Sequence, residues 1–196
     1  GSSGRENSEN TISSSYFYDF CRPNASNYGI YLQNASTEWT ISGNSFFETE
    51  EFIPTASTTH YAIRIYNTSG ENFIINNNYI GGSDAMCASS AWEINSSVST
   101  RFYGIHLDVG TSIASSVQGN TITNFDITTS NSIPWMAIDA NSGDVNIGTT
   151  TGNTIGATSG NNEILITKAI VNRSSTSYGI YVNSADTVVV SNNTVG

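Results

Sequence analysis

Five stretches of this chain repeat one pattern, and that repeat constrains the fold more than any other property of the sequence. The stretches are residues 27–47, 60–82, 102–124, 135–157 and 177–196. Each opens with a large residue, then Gly or Ala, then Ile, which gives the column Ile30, Ile63, Ile105, Ile138 and Ile180. Each closes with Asn, a small polar or Tyr residue, and an apolar one; that column is Asn44, Asn78, Asn120, Asn153 and Asn193. Asn10-Thr11-Ile12 reads as a sixth copy of the ending. The Ile-to-Asn distance is 14, 15, 15, 15 and 13 residues, while successive Asn spacings are 34, 34, 42, 33 and 40. A core of nearly constant length joined by variable returns is the pattern of a chain that closes a circuit of fixed shape and then moves up one level.

Within the core, apolar residues alternate with polar ones. Ile30 and Leu32, or Ile63 and Ile65, point one way, and Tyr31 or Arg64 the other, which is the period of a strand. A second run carries Ile41, Ile75, Val117 and Val190, followed by Phe46, Ile80, Ile122, Ile155 and Val195, each two residues after its Asn. The returns offer a third strand at Phe52-Ile53, Trp92-Glu93-Ile94, Phe125-Asp126-Ile127 and Ile164-Leu165-Ile166. Ile and Val number 32 against three Leu, so β-branched residues dominate and a helical bundle is excluded. A propeller blade needs four strands in each repeat, and this repeat has only two strong strand signals.

The Asn column has a physical reason. A buried turn leaves backbone groups without ladder partners, and Asn can take left-handed backbone geometry and bond the neighbouring backbone through its amide. Stacked at ~4.8 Å, one amide can also bond the next. Asn10, Asn44, Asn78, Asn120, Asn153 and Asn193 are therefore expected to form a structural ladder facing inward. The column Gly29, Ala62, Gly104, Ala137 and Gly179 marks a crowded corner.

The pairing of Tyr-Gly-Ile openings such as 28–30 and 178–180 with Asn-Thr-Ile endings such as 120–122 resembles the right-handed parallel β-helix of pectin-lyase-like proteins. More narrowly, it is similar to the repeats of very large secreted surface proteins of bacteria. The resemblance covers residues 10–196. It implies an all-β fold, a right-handed parallel β-helix (solenoid) of five to six rungs. Residues 1–196 are expected to form a single domain, itself a segment of a longer secreted or cell-surface protein whose open ends pair with further rungs or another chain. The implied role is structural or adhesive. The alternatives are a polysaccharide lyase or glycoside hydrolase of the same fold, and a carbohydrate-binding module. The polygalacturonase motifs are missing: no Asp-Asp pair exists, and Arg64-Ile65-Tyr66 matches only two letters of an Arg-Ile-Lys motif.

One constellation deserves weighing as chemistry. The residue after each repeat Ile gives the outward column Tyr31, Arg64, His106, Asp139 and Tyr181; two residues on lie Gln33, Tyr66, Asp108, Asn141 and Asn183. On adjacent rungs, Arg64, His106 and Asp139 would be neighbours on an exposed sheet. They are the catalytic candidates, because lyases need a base and a group that neutralises a uronate carboxylate. Tyr31, Tyr66, Asp108, Asn141 and Tyr181 are the binding candidates. The bland reading is cross-strand charge pairing. Asp108, Asp139 and Asn141 also offer oxygen ligands of the kind Ca²⁺ takes, although no spaced Asp-x-Asp loop accompanies them, and neither a metal nor any other cofactor is expected.

Charge and cysteine content narrow the partners. The formal net charge is −10 with one lysine, which argues against nucleic acid; a polysaccharide or cell-surface glycan is the partner class that the resemblance implies. No apolar run approaches the ~18 residues of a membrane span. Cys21 and Cys87 fall in returns two repeats apart and are expected to stay unbonded to each other.

Overall fold

The computed structural model describes residues 7–132, 134–157, 163–168 and 176–196. Among these residues the molecule is all-β, with one short 3₁₀ turn at Ala85–Cys87, and its sheets are parallel. Sheet A stacks Asn27–Leu32, Thr58–Tyr66, Thr100–Asp108, Trp135–Ser142 and Ser177–Val182. Sheet B stacks Thr11–Ser13, Thr40–Ser42, Ile74–Asn76, Ser115–Gln118, Val145–Ile147 and Val188–Val190. Sheet C stacks Tyr16–Tyr18, Ser45–Phe47, Tyr79–Ile80, Thr121–Ile122, Thr154–Ile155 and Thr194–Val195. Sheet D holds Trp92–Ser96, Phe125–Thr129 and Ile164–Lys168, with Phe52 bridged to Ile94 beside it. The chain visits A, B and C in turn and begins again, so each full circuit adds one strand to each of these sheets, and three of the returns add one to D. This arrangement is compatible with a parallel β-solenoid.

The repeat columns are the sheet registers. Ile30 pairs with Ile63, Ile63 with Ile105, Ile105 with Ile138, and Ile138 with Ile180. The second apolar run divides into two strands, B and C, because the ladder Asn forms a corner between them. Ile12, Ile41, Ile75, Val117, Ile147 and Val190 make one inward column of sheet B. Ile147 joins that column despite three extra residues before Asn153. Phe17, Phe46, Ile80, Ile122, Ile155 and Val195 make the matching column of sheet C. With sheet A's Ile column they form one apolar core, and each fully buried Ile or Val contributes ~1.5–3 kcal/mol. Val190 and Val195, in the last strands of B and C, are 45% and 59% exposed.

The corner between B and C explains the Asn column. The residue just before the corner is left-handed at Ser14, Gly43, Asn77, Gly119 and Asn192, while in the circuit of Asn153 the left-handed residue is Gly148. The Asn at the corner turns its amide inward. Asn78 Nδ2 donates to the Ile41 carbonyl and to Asn120 Oδ1, both at 2.9 Å. Its own Oδ1 accepts from Asn44 N and Nδ2 at 3.0 Å. The chain continues from Asn120 to Asn153 at 2.9 Å and from Asn153 to Asn193 at 2.8 Å. Asn44, Asn78 and Asn120 are wholly buried.

Asn10 is not part of this ladder. It precedes a strand of sheet B, since Thr11 pairs with Thr40, and among the described residues its amide bonds to Asn7 and Ser8 nearby. The ladder position in that circuit belongs to Ser15, whose neighbour Tyr16 pairs with Ser45; the Ser15 N–H donates to Asn44 Oδ1 at 3.1 Å. The Gly/Ala column is crowded as expected: a Cβ at Gly104 would lie 2.6 Å from the Ala137 carbonyl oxygen. Asn120→Ala should lose ~1–3 kcal/mol in chemical denaturation by stranding buried backbone groups, whereas Asn10→Ala should leave the midpoint unchanged.

Candidate functional site

Sheet A carries the site because its strands break alternation. Ala62 and Ile63 are adjacent in sequence and both fully buried. The residues flanking this pair, Tyr61 and Arg64, therefore come to the same outer side, and the Arg64 guanidinium lies 4.8 Å from the Tyr61 ring centre. The predicted column stands in register: Tyr31 opposite Arg64, Arg64 opposite His106, His106 opposite Asp139, and Asp139 opposite Tyr181. The second column slips. Tyr66 pairs with Asp108, but an irregularity after Leu107 sets Asp108 opposite Ser142 instead of Asn141. Asn141 still reaches back, its Nδ2 donating to Asp108 Oδ1 at 2.6 Å, and Asn183 Nδ2 donates to Asn141 Oδ1 at 3.1 Å.

The face splits into an aromatic half and an ionic half. Arg64 lies 5.7, 5.2, 4.8 and 5.0 Å from the ring centres of Tyr28, Tyr31, Tyr61 and Tyr66. Its Nη1 also donates to the Tyr28 hydroxyl at 3.3 Å. Tyr28, Tyr61 and Tyr103 stack along successive circuits with centroids 5.3 and 4.9 Å apart and planes within 11°. They come from the large-residue column that opens each repeat, and the sequence reading did not place them on this face. The signal was present, since two consecutive inward residues force the preceding one outward. Because these rings stack on each other, they spend their faces internally and turn edges to solvent. Burial pushes the Tyr61 hydroxyl up to about 12 against the opposing charge of Arg64.

In the ionic half, His106 Nδ1 lies 2.7 Å from Asp139 Oδ2 and Nε2 lies 2.9 Å from Asp108 Oδ2. Ionised carboxylates only accept, so both ring nitrogens donate and the imidazole is a cation. The expectation of an exposed triad is corrected here: His106 is 8% exposed and Asp139 4%. Tyr61 and Tyr103 pack edge-on against the imidazole at 5.5 and 5.2 Å. Burial opposes the charge on His106, but the hydrogen bonds and charges of Asp108 and Asp139 outweigh it and hold its pKa above the ordinary value. For Asp108, burial works upward, while His106 and Asn141 prevail and hold it low. An imidazolium with both N–H groups committed has no lone pair to accept a proton from a substrate. Among the described residues, no group of three or more His, Cys, Asp or Glu is arranged to hold a metal ion.

Two other polar features lie off this face. A shallow groove of about 170 Å³ on sheet D is lined by Glu51, Glu93 and Asp126, and register places Glu93 directly opposite Asp126. Like charges opposed in this way destabilise a sheet. The other histidine, His60, faces the core with Nε2 2.7 Å from Thr58 Oγ1, and burial lowers its pKa to about 4. Cys21 and Cys87 are both free thiols.

The two histidines should separate in an NMR titration, His106 titrating above 6.5 and His60 near 4. The signs follow. The contribution of His106 is complete below its unfolded pKa of ~6.5 and is lost as pH rises through its higher folded value. That of Asp108 is present above ~3.8 and lost as pH falls through its lowered folded value. His106→Ala should cost ~3–5 kcal/mol at pH 6 by stranding two buried carboxylates, and a loss below 1 kcal/mol would contradict the buried triad. Glu93→Gln should stabilise by a few tenths of a kcal/mol, read from the denaturation midpoint.

Comparison of the chain with protein-family models, with curated proteins and with solved structures finds no match in any of the three.

Proposed function

We propose that this chain is a right-handed parallel β-helix acting as a structural or adhesive segment of a larger secreted or cell-surface bacterial protein. The observation that carries this reading is the state of the outward face: its ionisable groups bond to one another. His106 spends both nitrogens on Asp108 and Asp139, and Arg64 is packed among four tyrosines. Such a face strengthens the stack it sits on. The buried Asn chain ties successive circuits together in the same way, as a stiff spacer or display surface requires.

A second reading, a carbohydrate-binding face, is favoured by one specific observation. Tyr66 is 47% exposed beside Arg64, so an aromatic ring and a guanidinium are presented together. A hydrolase or lyase is less well supported, because neither Arg64 nor His106 is free to act as a base.

The test is a panel of pectate, alginate, chondroitin and neutral glycans, read for unsaturated product by ultraviolet absorbance and for binding by calorimetry. The structural reading predicts neither product nor saturable binding. Saturable binding lost in Arg64→Ala and Tyr66→Ala would establish the second reading, and product formation would overturn both.

A further inference from the structure

The segment Asp19–Ser26 carries the chain from the first strand of sheet C to the first strand of sheet A, and it lies against the core. Phe20 meets Phe46 and Trp92 edge-on, with centroids 6.5 and 5.7 Å apart, and both Phe20 and Cys21 pack partly buried on the apolar cluster. A side chain from the next circuit holds the segment there. Glu48 is only 6% exposed, and its Oε1 accepts the Cys21 N–H at 2.9 Å. Asp19, in left-handed geometry at φ 52°, accepts from Thr49 N and Oγ1 at 2.9 Å. Two carboxylates from adjoining circuits are thus held close to each other.

Among the described residues Glu48 has no cationic partner. The ion pairs among the described residues are those of His106. The titratable groups facing Glu48 are Asp19 and the Cys21 thiol, and neither supplies positive charge. A buried carboxylate without a counter-charge, beside another carboxylate, holds its proton. Burial, the largest effect, pushes the Glu48 carboxyl up to about 7, with Asp19 adding to it against the backbone hydrogen bonds.

We propose that Glu48 is a proton-operated latch: protonated, it seats the Asp19–Ser26 segment over Phe46 and Trp92, and ionised, it lets that segment lift and uncover them. In the lifted state Glu48 is solvated and titrates near 4.5. The latch is therefore complete below about 4.5. It weakens as pH rises toward 7 and changes little above that. The full range corresponds to roughly two orders of magnitude in the opening equilibrium. Contacts without a titrating group remain throughout, including Thr55 N–H to the Pro23 carbonyl at 2.7 Å and Arg22 N–H to Asn27 Oδ1 at 2.7 Å.

Amide hydrogen exchange followed by NMR on the whole chain, corrected for intrinsic rates, tests this at pH 5.0 and 7.5. The Cys21 amide should lose at least tenfold in protection at the higher pH, while the Ile63 and Thr121 amides hold theirs. Glu48→Gln keeps the shape and cannot ionise, so its Cys21 protection should be the same at both values. Asp19→Asn removes the neighbouring charge and should move the transition to lower pH. Equal Cys21 protection at the two pH values in the unaltered chain would overturn the latch. So would a pH-dependent loss persisting in Glu48→Gln, or protection lost in that variant at both values.

Discussion

A backbone corner buried in a stack of strands must find partners for its N–H and C=O groups, and everything else in this structure depends on how that is done. Between sheets B and C the chain turns tightly, within two residues at Gly43-Asn44, Asn77-Asn78 and Gly119-Asn120, and the N–H of the corner Asn is satisfied by a side chain instead of a ladder carbonyl. A side-chain amide at the corner solves the problem, because it carries both donor and acceptor. Asn78 uses its donors on Ile41 and Asn120 and its acceptor on Asn44. Each circuit's corner is thereby satisfied by its neighbours. Circuits are forced into register, and the Ile, Val and Phe columns of sheets A, B and C fall on one another as a consequence.

That register decides what the outer face can be. Outward residues of sheet A meet their counterparts from neighbouring circuits at the strand spacing of ~4.8 Å, close enough for rings to stack and for an imidazole to bridge two carboxylates. Tyr28, Tyr61 and Tyr103 do the first, and Asp108, His106 and Asp139 the second. The same spacing places Glu93 against Asp126 on sheet D. A stacked fold thus converts a column in the sequence into a physical neighbourhood, favourable or unfavourable according to the side chains in it.

The fold was legible wherever the repeat was strict. The Ile column and the inward Asn amides from Asn44 to Asn193 rest on spacing, and spacing is what stacking preserves; the third strands at Trp92, Phe125 and Ile164 are read from apolar runs in returns of variable length, and Phe52, read with them, makes only an isolated bridge to Ile94. Legibility failed where one circuit departed from the others. Ser15 replaces Asn in the first circuit, so Asn10-Thr11-Ile12, one sheet earlier, imitated the motif. Ile147 hid behind three extra residues, and the slip after Leu107 moved Asn141 off its partner. The site was half legible: the residues after each Ile are neighbours as read, but alternation alone implied exposure. The Tyr61 and Tyr103 rings pack against His106, and that cover depends on the break in alternation at Ala62-Ile63. A column identifies neighbours; which of them cover the others is settled by side-chain packing.

The central claim, that buried amides couple successive circuits, is tested most directly by the exchange rates of the asparagine side-chain amide protons in a resolved NMR spectrum. The Nδ2 protons of Asn44, Asn78, Asn120 and Asn153 should exchange orders of magnitude more slowly than those of Asn10 and Asn34, and in step with the backbone amides of sheets B and C. Exchange of the four at the rate of the exposed pair would mean that the corners are open to water and that the ladder does not hold the stack together.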